Sequence, residues 1–156
     1  MPTAYIALGA NIGDRKKHLE DAHWALNCLP ASRLVSFSKI YETDPVGPSG
    51  PDRFLNAAAE LLTSLAPLPR LPHLLAIEKA AGRLRHERWA PRTLDLDLLM
   101  FDDRVMHHEN LTLPHPRMHE RRFVLQPLCD IAPKAVHPVM RVTIRELLEK
   151  LPTMAG

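Results

Sequence analysis

The stretch RWAPRTLDLDLL, from Arg88 to Leu99, holds the residue types best suited to chemistry. Residues 94–101 read as a strand, in which successive side chains alternate faces. Asp95 and Asp97 then share one face, with Leu94, Leu96 and Leu98 on the other. The two aspartate Cα atoms would stand roughly 6.6 Å apart by strand rise. Carboxylates that close repel one another unless a positive charge sits between them. Hard oxygen ligands with positions left for water and phosphate suit Mg²⁺. A solvated strand face can carry such a pair by chance, so the preceding residues decide between the readings. Arg83, Arg85, Arg88 and Arg92 crowd that segment, with His86 among them and Glu87 the only acid. Guanidinium groups stay charged and grip phosphate oxygens bidentately. Acids that hold cations, beside arginines that hold anionic oxygens, are the parts a metal–polyphosphate requires.

The common nucleotide motifs are absent. No glycine is followed by Lys-Ser or Lys-Thr, so there is no Walker loop. Gly9-Ala10-Asn11-Ile12-Gly13 has the wrong spacing for a dinucleotide fingerprint. Protein-kinase signatures are missing as well. Two other functions fit parts of the chain. An RNA-binding module on an open sheet needs aromatic residues on its central strands, but only 5% of the residues are aromatic and the signature strand is acidic. A metal-dependent hydrolase could use His115 and His119 with Asp95 or Asp97. Pro114 and Pro116 argue against a helix that would bring both histidines to one face.

The elements that position these groups must fit between 15 prolines, with only 6 glycines to loosen the turns. The 156 residues suit a single domain, 1–156, with a self-sufficient core. Hydrophobic residues make up 46% and charged residues 24%, a globular balance, and a net charge of +2 excludes a polycation built for nucleic acid. Cys28 and Cys129 read as two buried free thiols. No apolar run approaches the roughly 20 residues that span a bilayer. The first 14 residues are too short and polar for a secretory leader, so a cytoplasmic protein without membrane contact is expected.

Residues 3–8 read as a strand, followed by a helix from Asp14 to Leu29 that Pro30 stops. Alternation from Val35 predicts a strand to about Thr43, and 44–52 must be a loop. Residues 54–65 follow as a strand, and 72–81 as a helix closed by Gly82. A basic loop, 83–93, feeds the strand at 94–101. Pro114, Pro116, Pro127, Pro133 and Pro138 cut the remainder into short pieces before a last amphipathic helix at 143–151. That order predicts an α+β domain of ferredoxin-like type, a βαββαβ antiparallel sheet with helices packed on it and extra short C-terminal elements.

RWAPRTLDLDLL resembles the signature of the 6-hydroxymethyl-7,8-dihydropterin pyrophosphokinase family of folate biosynthesis. The likeness extends, in the family's order, to YIALGANIGD (5–14), YETDPVGPSGPDRFLNAA (41–58), IEKAAGRLR (77–85), LTLPHPRMHERRFVLQPL (111–128) and IAP (131–133). It implies a ferredoxin-like domain that moves the β,γ-pyrophosphoryl group of ATP to the pterin hydroxymethyl oxygen and releases AMP. It further implies that Asp95 and Asp97 hold two Mg²⁺ ions, with Asp95 also near the pterin. Arg83 and Arg92 match loop arginines that engage the phosphates during catalysis. Glu78, Arg85, Arg88, Trp89, Leu98, Leu111, Thr112, His115 and Arg121 match the ATP site. Thr43, Asp44, Val46, Phe54, Asn56 and Phe123 match the pterin site, the two phenylalanines as its stacking partners. Ala90, Asn110 and Pro116 depart from residues common in the family. ATP and the pterin are the partners implied, with no nucleic acid, and the chain is expected to be a monomer.

Overall fold

The computed structural model describes residues 2–10, 15–43, 54–80 and 94–151. Its central sheet is built from β1 (Thr3–Ala10), β2 (Ser32–Phe37), β3 (Tyr41–Thr43), β4 (Phe54–Thr63) and β5 (Asp95–Phe101). The strands run β2-β4-β1-β5, with β3 also pairing with β4, and every pairing is antiparallel. Helix α1 (Arg15–Asn27) leads from β1 to β2, and α2 (Pro67–Ala80) leads from β4 to β5. This is the doubled split βαβ of a ferredoxin-like domain, as the element order predicts.

Both faces of the sheet are covered. Ile6, Leu8, Leu61, Leu96 and Leu98 form one core with Leu19 and Leu26 of α1 and Leu74 of α2. The opposite face packs Ala7, Ala58 and Met100 against α3 (Arg122–Ile131) and α4 (Ile144–Lys150). A small hairpin, β6 (Met106–His108) and β7 (Leu111–Leu113), and a 3₁₀ turn at Met118–Glu120 precede α3. Thr143 caps α4: its hydroxyl accepts from the Glu146 amide while the Glu146 carboxylate accepts from the Thr143 amide.

Several elements differ from the sequence expectations. β1 runs through Gly9 to Ala10, because β4 and β5 pair with it on both sides there. The strand expected from Val35 to Thr43 starts at Ser32 and breaks at 38–40, where the Ser38 hydroxyl accepts from the Ala58 amide. Helix α2 begins at Pro67, five residues before the expected start at Pro72. Pro67 and Pro69 sit in its first turn, where amides have no helical acceptor to lose. Pro127 lies inside α3 and does not break it. Neither cysteine is fully buried as expected: both are free thiols, Cys28 exposed and Cys129 half-buried.

Candidate active site

One end of the sheet gathers most of the predicted residues. Across four strands, Tyr41 lies opposite Asn56, Asn56 opposite Gly9, and Gly9 opposite Asp95. Directly opposed residues share a face, so these four form one row. The next row along β4, β1 and β5 carries Ala58, Ala7 and Asp97. Phe54 and Thr43 pair on the other side of Asn56 and continue the same face by alternation. Leu96 and Leu98 point the other way into the core, so the alternation expected for this strand holds.

Gly9 matters because it has no side chain. The strands that carry Asn56 and Asp95 flank β1, so the two residues stand about 9.6 Å apart by strand spacing. Between them lies the bare backbone of Gly9, an open floor wide enough for a flat ring to settle. Asn56, 5% exposed, forms one wall, and its amide Nδ2 donates to Thr43 Oγ1 at 2.7 Å. That bond fixes which end of the amide faces which way. α3 covers the same face of the sheet and brings Phe123, packed on the second core. The Arg121 guanidinium lies 5.6 Å from the centre of the Phe123 ring, a cation–π contact.

A cavity of about 300 Å³ opens beside Asp97, along the free edge of β5. Leu98, Leu111, Thr112 and His115, all expected around ATP, line it together with Leu96 and Leu71. Asn110 and Pro116, two of the departures from the family pattern, line it too. At this edge Glu78, 3% exposed on α2, accepts the outward amide of Leu96 at 2.7 Å. The register with β1 shifts just beyond Leu98, and the Leu99 carbonyl turns outward to accept from the His115 amide.

His115 is tied down on two sides. Its amide donates to the Leu99 carbonyl at 2.8 Å, and its ring Nδ1 accepts from the Arg117 amide at 3.3 Å. The ring proton therefore sits on Nε2. Burial, reinforced by the Arg121 charge, lowers its pKa and favours the neutral ring. Arg121 thus acts on His115 through its charge and on Phe123 through its cation–π contact.

Asp95 is half-buried and Asp97 exposed. Among the described residues no three His, Cys, Asp or Glu side chains converge on one point. A metal held here would draw its other ligands from water and phosphate, a donor set suited to Mg²⁺. Arg83, Arg85, Arg88, Trp89, Arg92, Asp44 and Val46 lie outside the described residues. Sequence reasoning missed Gly9 and Tyr41 as site residues. A glycine inside a strand was the available signal for the first.

The chain is 46% identical to 2-amino-4-hydroxy-6-hydroxymethyldihydropteridine pyrophosphokinase of Pseudomonas aeruginosa over 129 residues, 83% of this chain and 80% of the relative. It is 50% identical to the Bacillus subtilis protein of the same name over 128 residues, 82% and 77% of the two chains. The fold matches that of Plasmodium falciparum HPPK-DHPS crystallised with pteroate, with a TM-score of 0.77 at 18% identity over 96% of this chain. This chain spans less than half of that longer one, 44% of its length. These relatives define a transferase of pyrophosphoryl groups. A family model described as 7,8-dihydro-6-hydroxymethylpterin-pyrophosphokinase (HPPK) matches residues 5–133, and the chain belongs to that family.

Proposed function

We propose that the chain transfers the pyrophosphoryl group of ATP to the hydroxymethyl oxygen of 6-hydroxymethyl-7,8-dihydropterin, with AMP leaving, as a step of folate biosynthesis. Family membership supports the reaction. The observation that supports its location is the row Asn56–Gly9–Asp95, on the sheet face that α3 covers and one row from Asp97, which lines the cavity.

Asp95 and Asp97 would hold two Mg²⁺ ions. When bound, such ions neutralise phosphate charge and make a coordinated hydroxyl easier to deprotonate. The protein's own groups do the rest. Phe54 and Phe123 stack on the pterin, a flat heterocycle suited to aromatic faces. Asn56 supplies directional hydrogen bonds to its edge, with Thr43 and the backbone of Asp44 and Val46 alongside. The base and ribose of ATP occupy the cavity against Leu98, Leu111 and Thr112, with Glu78 at its strand edge. His115, through Nε2–H, and Arg121 face the phosphate chain between the two substrates. Arg83, Arg85, Arg88, Trp89 and Arg92 complete the phosphate cradle, and Arg83 and Arg92 act on charge that develops during transfer. Catalysis rests on positioning and electrostatics without a covalent enzyme intermediate. The reading includes a monomer in the cytoplasm. No helix among the described residues is long and apolar enough to cross a membrane.

Product analysis tests the reaction. Incubation with ATP, Mg²⁺ and the pterin alcohol should yield AMP and pterin diphosphate in equal amounts. ADP as the sole nucleotide product would overturn the pyrophosphoryl assignment.

A further inference from the structure

We propose that Tyr41 and Asp130 form a positioning clasp that holds α3, and with it Phe123, at its working height above the Asn56–Gly9 floor. The proposal rests on the pterin slot just described and adds the device that sets its width.

Tyr41 lies on β3 directly opposite Asn56. Its hydroxyl reaches across to α3 and donates to the Asp130 carboxylate, 2.8 Å from Oδ1 and 2.7 Å from Oδ2. Asp130 lies in α3 three residues after Pro127, which sits inside the helix. Proline has no N–H, so the helical donor to the Phe123 carbonyl is missing. The turn that carries Phe123 is therefore tied to the rest of α3 by one bond fewer. The Tyr41 hydroxyl holds the helix just beyond that interruption, at Asp130, and fixes it to β3.

The other side of the slot is fixed from the same short strand. Thr43, two residues after Tyr41, receives the Asn56 amide proton. β3 thus orients the polar wall through Thr43 and sets the aromatic roof through Tyr41. Burial and the Asp130 carboxylate raise the pKa of Tyr41, so the phenol remains a donor across the neutral range. Neither Tyr41 nor Asp130 need touch a substrate for this role.

The test uses the full chain with Mg²⁺ and a non-hydrolysable ATP analogue, titrated calorimetrically with the pterin alcohol, and steady-state kinetics alongside. Tyr41→Phe removes only the hydroxyl and should weaken pterin binding and raise its KM about tenfold, the loss expected for a hydrogen bond to a charged group. Affinity for the ATP analogue should stay unchanged. Asp130→Ala should behave alike, and the double variant should be no weaker than either single one. Asp130→Asn retains a carbonyl acceptor and should recover most of the loss. Should Tyr41→Phe fold poorly, Asp130→Ala and Asp130→Asn carry the same comparison. Wild-type pterin affinity in Tyr41→Phe or Asp130→Ala would overturn the clasp, as would equal weakening of both substrates. Wild-type protein that forms no AMP would instead overturn the reading of the site itself.

Discussion

Asp97 and Gly9 sit on neighbouring strands in adjacent rows, Gly9 directly opposite Asn56, yet they serve opposite needs. Asp97 is exposed and contributes charge. Asp97→Ala should leave the melting temperature near that of the wild type, because the side chain is exposed. AMP formation should fall by at least about 100-fold, the scale seen when a preorganised electrostatic partner of a reacting group is deleted. Near-normal turnover would remove Asp97 from the reaction. Gly9 contributes space. A Cβ built there would stand 3.5 Å from Asn56 Oδ1, an ordinary contact, so Gly9→Ala should fold. The added methyl would occupy the floor of a fitted slot, and pterin affinity should drop roughly tenfold, in line with the cost of overpacking. Calorimetry with the ATP analogue alone should give the wild-type value. If both substrates lost affinity, the slot would not be where the pterin lies.

Glu78 shows how one element aims another. β5 is an edge strand, and its outward amides need partners wherever they are buried. The Glu78 carboxylate meets the Leu96 amide, which lies between the two aspartates. Glu78→Ala should lower stability by about 1–3 kcal/mol in urea denaturation, the cost of an orphaned buried donor. Glu78→Gln should cost less, since its amide oxygen still accepts. Equal losses would show that this bond does not hold the strand. The alternation of β5 was legible from LDLDLLMF because it is local. The row Tyr41–Asn56–Gly9–Asp95 was not, because register between strands far apart in sequence leaves no local trace. Proline misled in both directions: Pro67 and Pro69 open α2 where a later start was expected, and α3 continues past Pro127. In α3 the packing of Val124, Leu125 and Leu128 on the sheet outweighs one missing bond.

The ferredoxin-like core was readable from element order and α4 from its amphipathic pattern, whereas α3 and the layer the two helices build on the second face were not. Short segments between prolines carry little periodicity, and only packing joins them. His137 belongs to that layer and makes its stability depend on pH. It is 3% exposed, and its Nδ1 accepts from the Val139 amide at 3.3 Å and the Met140 amide at 3.1 Å. A second ring proton would have to enter at Nδ1 and displace both bonds. Burial lowers its pKa below 6.5, and the ring of His119, 6.2 Å away and edge-on, lowers it further. His115 is lowered too, by burial and Arg121. Well above the unfolded value of 6.5 both rings are neutral whether the chain is folded or not, and they add no pH dependence. Below it the unfolded chain takes up protons that the folded chain refuses, so unfolding becomes easier as pH falls. The melting temperature should hold level from pH 8 to about pH 7 and decline toward pH 5. His137→Asn keeps an acceptor near the Nδ1 position and removes the titrating group. Its melting temperature should start lower, because the ring's packing is lost, but decline less steeply with acid. A slope equal to that of the wild type would show that His137 is not among the groups that carry the effect.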